Sequence, residues 1–142
     1  MTTIKTFLLC LPFILFSVVL NAQRSIGRTL VTTLRYEAGS EVKLDLDGTT
    51  VVSEWDNDFI RIVIEIQTNL QHQETLDRLI TSKRYAITSE TNEDLVMTIK
   101  NPFLRKVIMI NNTPLKESLH YKIYVPRGTA WSSFWEGTKI LN

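Results

Sequence analysis

Four stretches of the chain alternate apolar and polar residues with a period of two, and this confines the fold to one built from strands. Ile60, Ile62, Ile64 and Ile66 share one face of a segment whose other face holds Arg61, Val63, Glu65 and Gln67. Val42, Leu44 and Leu46 alternate with Lys43, Asp45 and Asp47; Leu95, Met97 and Ile99 with Val96, Thr98 and Lys100; Leu119, Tyr121, Ile123 and Val125 with His120, Lys122 and Tyr124. Successive side chains of a strand point to opposite faces, so such segments bury one face and wet the other. Leu30 to Glu37, Thr49 to Trp55, Tyr85 to Glu90 and Val107 to Ile110 read as further strands. Turn chemistry separates them. Asp47-Gly48 carries a hairpin signal between the second and third strands, Asp56-Asn57-Asp58 joins the third to the fourth, and Thr91 to Asp94 closes another hairpin.

One segment departs from the alternation. Asn69 is placed to cap a helix over about residues 70–82, with Leu76, Leu79 and Ile80 on one side. Glu74 and Arg78 are spaced as a favourable helical pair, and Lys83 and Arg84 suit the negative end of the helix dipole. The expected fold is mainly β: an antiparallel or mixed β-sandwich, or a sheet resembling a solenoid cap, with one amphipathic helix packed on it.

Composition then narrows the functional classes. The 142 residues are 44% hydrophobic, with 16 Lys and Arg against 15 Asp and Glu and a single cysteine. Such a chain has the apolar content to fold and too few cysteines for a disulfide scaffold. It lacks the basic surplus of a nucleic-acid binder, so no nucleic-acid partner is expected. Its start has a separate meaning. Lys5 precedes an apolar run from Phe7 to Leu20, and Asn21-Ala22-Gln23 follows. That pattern reads as a secretory signal peptide over residues 1–22, cut between Ala22 and Gln23. The run is shorter than the ~20 apolar residues of a membrane-spanning helix, so no stable transmembrane segment is expected after cleavage. Cys10 lies within the run and leaves with it. Residues 23–142 would then form a single β-rich domain, exported to the periplasm, the cell surface or the medium. A chain of about 120 residues buries roughly two-thirds of its surface, enough for a core without disulfides.

The stretch Leu46-Asp47-Gly48-Thr49-Thr50-Val51-Val52-Ser53-Glu54-Trp55-Asp56, followed by Ile60-Arg61-Ile62-Val63-Ile64, and later His120-Tyr121-Lys122-Ile123-Tyr124-Val125-Pro126, carries a resemblance. Over roughly Leu30 to Gly128 the chain resembles the N-terminal module of a family of exported bacterial adhesin-like β-strand-repeat proteins. Gly48, Trp55, Asp56 and Pro126 are the residues that match its structural motif. Trp55 is expected in the core at the head of the Trp55-Asp56 turn, its strand lying against the isoleucine strand, where aromatic and β-branched cross-strand pairs are stabilising. The resemblance implies a cell-envelope β domain of undefined biochemical role. In that family glycine-rich repeats wind into a β-solenoid after the Val-Pro step. Here Arg127-Gly128-Thr129 leads instead to Ala130-Trp131-Ser132-Ser133-Phe134-Trp135, and the remaining residues are too few and too poor in glycine for stacked repeats.

No motif calls for catalysis, a cofactor or a metal. Glu54, Asp56 and Asp58 offer carboxylates around Trp55, but calcium needs six to eight oxygens and its single-segment loops carry a glycine that is missing after Asp58. A turn reading is preferred. Asp45 and Asp47 share a strand face without anything to split their acidities, so they read as a solvated face rather than an acid–base pair. His72 and His120 have no nearby cluster to make a zinc site, and a Gly-x-Ser-x-Gly elbow is missing. Lys100, Arg105 and Lys106 read as a solvated basic loop beside Pro102. Trp131, Phe134 and Trp135 cluster near the C-terminus, either docking on the sheet or forming a stacking surface. The leading expectation is a non-enzymatic envelope module that acts by surface interaction with an envelope protein or a glycan. The alternative is a carbohydrate-binding module that uses Trp131 and Trp135.

Overall fold

The structure, a computed structural model, describes residues 25–134 and the backbone of 138–140. Among the described residues, eleven strands and one helix follow in the order β1 (Ile26–Arg35), β2 (Glu41–Asp45), β3 (Thr49–Trp55), β4 (Phe59–Thr68), α1 (Gln73–Thr81), β5 (Thr88–Thr91), β6 (Val96–Lys100), β7 (Met109–Ile110), β8 (Thr113–Pro114), β9 (Glu117–Pro126), β10 (Trp131–Ser133) and β11 (Thr138–Ile140). A five-stranded sheet has the order β1-β4-β9-β3-β11, a four-stranded sheet the order β10-β2-β6-β5, and β7 and β8 form a small ribbon. The fold is mainly β, with mixed sheets and one short helix.

The alternating segments explain the layering. Val42 and Leu44 of β2 and Met97 and Ile99 of β6 face Val52, Ile60, Ile62, Ile64, Tyr121, Ile123 and Val125 of the larger sheet in one buried cluster. Burying such side chains is worth roughly 1.5–3 kcal/mol each, which is the main stabilisation open to a domain without disulfides. Leu76 and Leu79 of α1 join the same cluster, and Arg28 of β1 bonds Asp77 on the helix at 2.9 Å.

The connections are less ordinary than the strands. The chain passes from the four-stranded sheet to the five-stranded one three times, as β2 to β3, β6 to β9, and β10 to β11. Within the smaller sheet β6, β2 and β10 are parallel neighbours, and within the larger sheet β9, β3 and β11 are too. Each passage therefore makes one coil, and the coils stack in register. Strands of one sheet that run parallel need a crossover, and here the opposite sheet provides it. Antiparallel β5 flanks β6, and antiparallel β4 with β1 flanks β9.

This topology corrects three expectations. Asp47-Gly48 turns the chain but closes no hairpin, because β2 and β3 belong to different sheets. Strands β3 and β4 share a sheet, yet β9 lies between them. The residues after Pro126 add one further parallel coil rather than only a docking segment. The Thr91–Asp94 hairpin is present, with Asn92 Oδ1 accepting from the amides of Asp94 and Val96.

The helix is also shorter than expected. It spans Gln73–Thr81, its N-cap residue is His72, and no side chain caps it. Asn69 works elsewhere: its Oδ1 accepts from the Lys116 amide and its Nδ2 donates to the Pro114 carbonyl, which ties the chain to the ribbon β7–β8. The helix ends in a Schellman turn. Lys83 takes φ of 64°, its amide donates to Ile80, and the Arg84 amide donates to Leu79.

Candidate functional site

The helix terminus aims Arg84 inward. Its guanidinium is 6% exposed and meets Glu117, 8% exposed, at the start of β9. Nε donates to Glu117 Oε1 at 2.8 Å and Nη2 to Oε2 at 2.5 Å, a bidentate pair. Nη1 also donates to the carbonyls of Phe103 and Lys106, and Nη2 to that of Leu104. All five donors of the fork are therefore engaged. Tyr85 adds its hydroxyl to Glu117 Oε1 at 2.5 Å. The side-chain bond to Glu117 raises the Arg84 pKa further. Burial pushes the Tyr85 phenol well above the ordinary tyrosine range, and its bond to Glu117 acts in the same direction.

The three carbonyls belong to the loop between β6 and β7. Its base is set by Asn101, buried, whose Oδ1 accepts from the amides of Phe103 and Leu104. At its far end β7 and β8 turn through Asn111 and Asn112, both at positive φ, as a two-residue hairpin requires. Residues 101–106 are thus anchored from inside by one arginine and one asparagine, while apolar side chains stand exposed beside Arg105 and Lys106. Phe103 is 42% exposed, Val107 83% and Met109 56%. These are three large apolar side chains open to solvent within seven residues.

Charge is uneven here as well. Residues 95–116 contain no Asp or Glu, but hold Lys100, Arg105, Lys106 and Lys116. Arg105 pairs with Asp45 of β2 at 2.5 Å and Lys100 with Glu90 of β5 at 2.8 Å. Lys106 lies over the Phe103 ring, 5.7 Å from its centroid. Behind the loop a cleft of about 390 Å³ runs toward the Asp47-Gly48 corner. Arg84 and Glu117 line it, but their polar groups are spent on each other, on Tyr85 and on the loop carbonyls.

Among the residues singled out from sequence, Trp55 needs correction. It is half-buried and lies on the outer face of the larger sheet, the face opposite to Thr50 and Val52, rather than in the core. Its ring meets Phe59 edge-on at 4.8 Å and Tyr124 at 5.5 Å, and Nε1 donates to the Phe59 carbonyl at 2.9 Å. Pro126 lies opposite Trp55 in register. We expect Trp55→Ala to cost about 1–2 kcal/mol, the scale of aromatic pairing with partial burial, rather than the larger loss of an emptied core. Urea unfolding checks this; a loss above about 3 kcal/mol would place the ring in the core after all.

Asp56 pairs with Arg127 and Glu54 accepts from the Gly128 amide, so these acids brace the chain after β9. No three His, Cys, Asp or Glu side chains gather to hold a metal among the described residues. His72 is exposed at the helix start, and His120 faces outward with Ser118 Oγ 3.5 Å from its Nε2. Trp131 packs half-buried against the core, opposite Val42; Trp135 lies outside the described residues.

Sequence reading missed the Arg84–Glu117 pair. From sequence Arg84 suits the helix dipole, and the two residues lie 33 positions apart with no motif between them. The absence of acids over residues 95–116 was the signal available for the loop. No protein-family profile, curated protein or solved structure matches this chain.

Proposed function

We propose that this chain is an exported, non-catalytic envelope module that binds through the loop between β6 and β7. The observation that carries this reading is the loop itself. A buried arginine with every donor engaged fixes the backbone from Phe103 to Lys106, and Phe103, Val107 and, at the start of β7, Met109 are exposed there. Rigid apolar side chains lose little freedom when they are covered, which favours binding. Export rests on the charged start, the apolar run and the small residue Ala22, with cleavage before Gln23. The parallel coils support the resemblance to the adhesin-like β-strand-repeat module. The sugar-binding alternative finds less support, because Trp131 leans on the core.

The test uses a chain that begins at Gln23 and so contains every described element. Incubated with isolated bacterial envelopes, it is expected to cosediment, and Phe103→Ser with Val107→Asp is expected to abolish that. Envelope binding that these substitutions leave unchanged would overturn the reading.

A further inference from the structure

Building on the proposed binding role, we propose that the loop docks on an anionic lipid bilayer, with Phe103, Val107 and Met109 entering the interface and Lys106 and Lys116 meeting the headgroups. Interfacial binding strengthens with buried apolar area and with attraction to anionic lipid. Phe103, Lys106 and Val107 lie on this loop, Met109 begins β7, and Lys116 lies between β8 and β9. Neither Lys106 nor Lys116 forms an ion pair among the described residues, and residues 95–116 carry no acid to repel a negative surface. Of the nearby acids, Asp45 is matched by Arg105 and Glu90 by Lys100, and Asp47 lines the cleft together with Lys106 and Val107.

The backbone supplies an independent reason. A loop that approaches hydrocarbon must satisfy its own peptide groups, since little water is there to do so. Here Arg84 satisfies the carbonyls of Phe103, Leu104 and Lys106 from within, and Asn101 takes the amides of Phe103 and Leu104. The Lys106 amide donates to the Phe103 carbonyl. The loop can therefore shed water on its outer side without stranding these groups. Val107, at 83% exposure, stands clear of its neighbours, which suits insertion into a soft surface better than seating in a preformed protein groove.

Vesicle cosedimentation tests the proposal, using the chain that begins at Gln23 so that Phe7 to Leu20 cannot insert. Vesicles of mixed phosphatidylglycerol and phosphatidylcholine should bind the chain, and vesicles of phosphatidylcholine alone should bind it at least about tenfold more weakly, with added salt weakening the anionic case. Val107→Asp and Lys106→Glu should each reduce binding about tenfold, while Val31→Asp, exposed on the outer face of β1, should not. These are exposed positions, so the variants should fold. No binding to anionic vesicles, or an equal loss in Val31→Asp, overturns the bilayer proposal. If envelopes still capture the chain through the loop while vesicles do not, the partner is a protein or a glycan, and only the bilayer proposal fails.

Discussion

Arg84→Ala will destabilise the domain by about 3–5 kcal/mol, because removing one member of a buried ion pair strands the other. Glu117 would keep its carboxylate 8% exposed with only the Tyr85 hydroxyl on it. The carbonyls of Phe103, Leu104 and Lys106 would lose the Arg84 donor together. The pair itself need not be stabilising relative to an apolar substitute, since desolvating two charges offsets much of their attraction. A double replacement, Arg84→Met with Glu117→Leu, should therefore recover a large part of the loss in global stability. It should not restore the loop, whose carbonyls need a donor that methionine lacks. Urea unfolding of the three chains separates these effects, and a loss below about 1 kcal/mol in Arg84→Ala would mean that the pair is not closed off from water.

Gly48→Ala is the second large expected loss. Gly48 takes φ of 147°, and a Cβ there would lie 2.6 Å from the Leu119 carbonyl oxygen and 3.0 Å from the Tyr121 ring. The strained conformation alone costs about 1–3 kcal/mol for a residue with a side chain. The clash adds to it because the nearer atom belongs to the backbone of β9, a strand held between β4 and β3. Tyr121 cannot readily give way either, being 1% exposed and packed in the core. By contrast, Gly39→Ala also meets a positive φ, 90°, but nothing lies within 4 Å of its new Cβ. Thermal melts should therefore show the larger drop at Gly48. Equal drops would mean that backbone conformation, and not the close approach to β9, sets the cost.

The contrast between these two sites shows what the sequence could disclose. Period two located the long strands because burial on one face is written directly into the residue order, as in β4 and β9. It also held the answer for Trp55, which shares parity with Val51 and Ser53 rather than with buried Thr50 and Val52; the core expectation rested on pairing with the isoleucine strand, and β3 pairs with β9 instead. Asp47-Gly48 was legible as a corner but not as a passage between sheets, since both a hairpin and a crossing use a glycine at positive φ. Which strands pair is a long-range choice, and the parallel partners β3 and β9 lie far apart in the chain.

The loop was the least legible part. Val107 to Ile110 reads as a strand, yet only Met109–Ile110 pairs. Its shape comes from Arg84, 19 to 22 positions upstream of the carbonyls it holds, and nothing local in Phe103 to Met109 records that donor. An apolar, basic segment without acids was visible; that it is fixed in place was not.

Amide hydrogen exchange of the unmutated chain, read residue by residue, tests that fixing most directly. The amides of Phe103 and Leu104 donate to Asn101 Oδ1 and that of Lys106 to the Phe103 carbonyl, on a backbone clamped by Arg84. These three amides are expected to exchange on the timescale of strand amides such as those of β6, because opening them requires breaking the buried network. Exchange at the rate of an unprotected loop, with the sheets still protected, would contradict it.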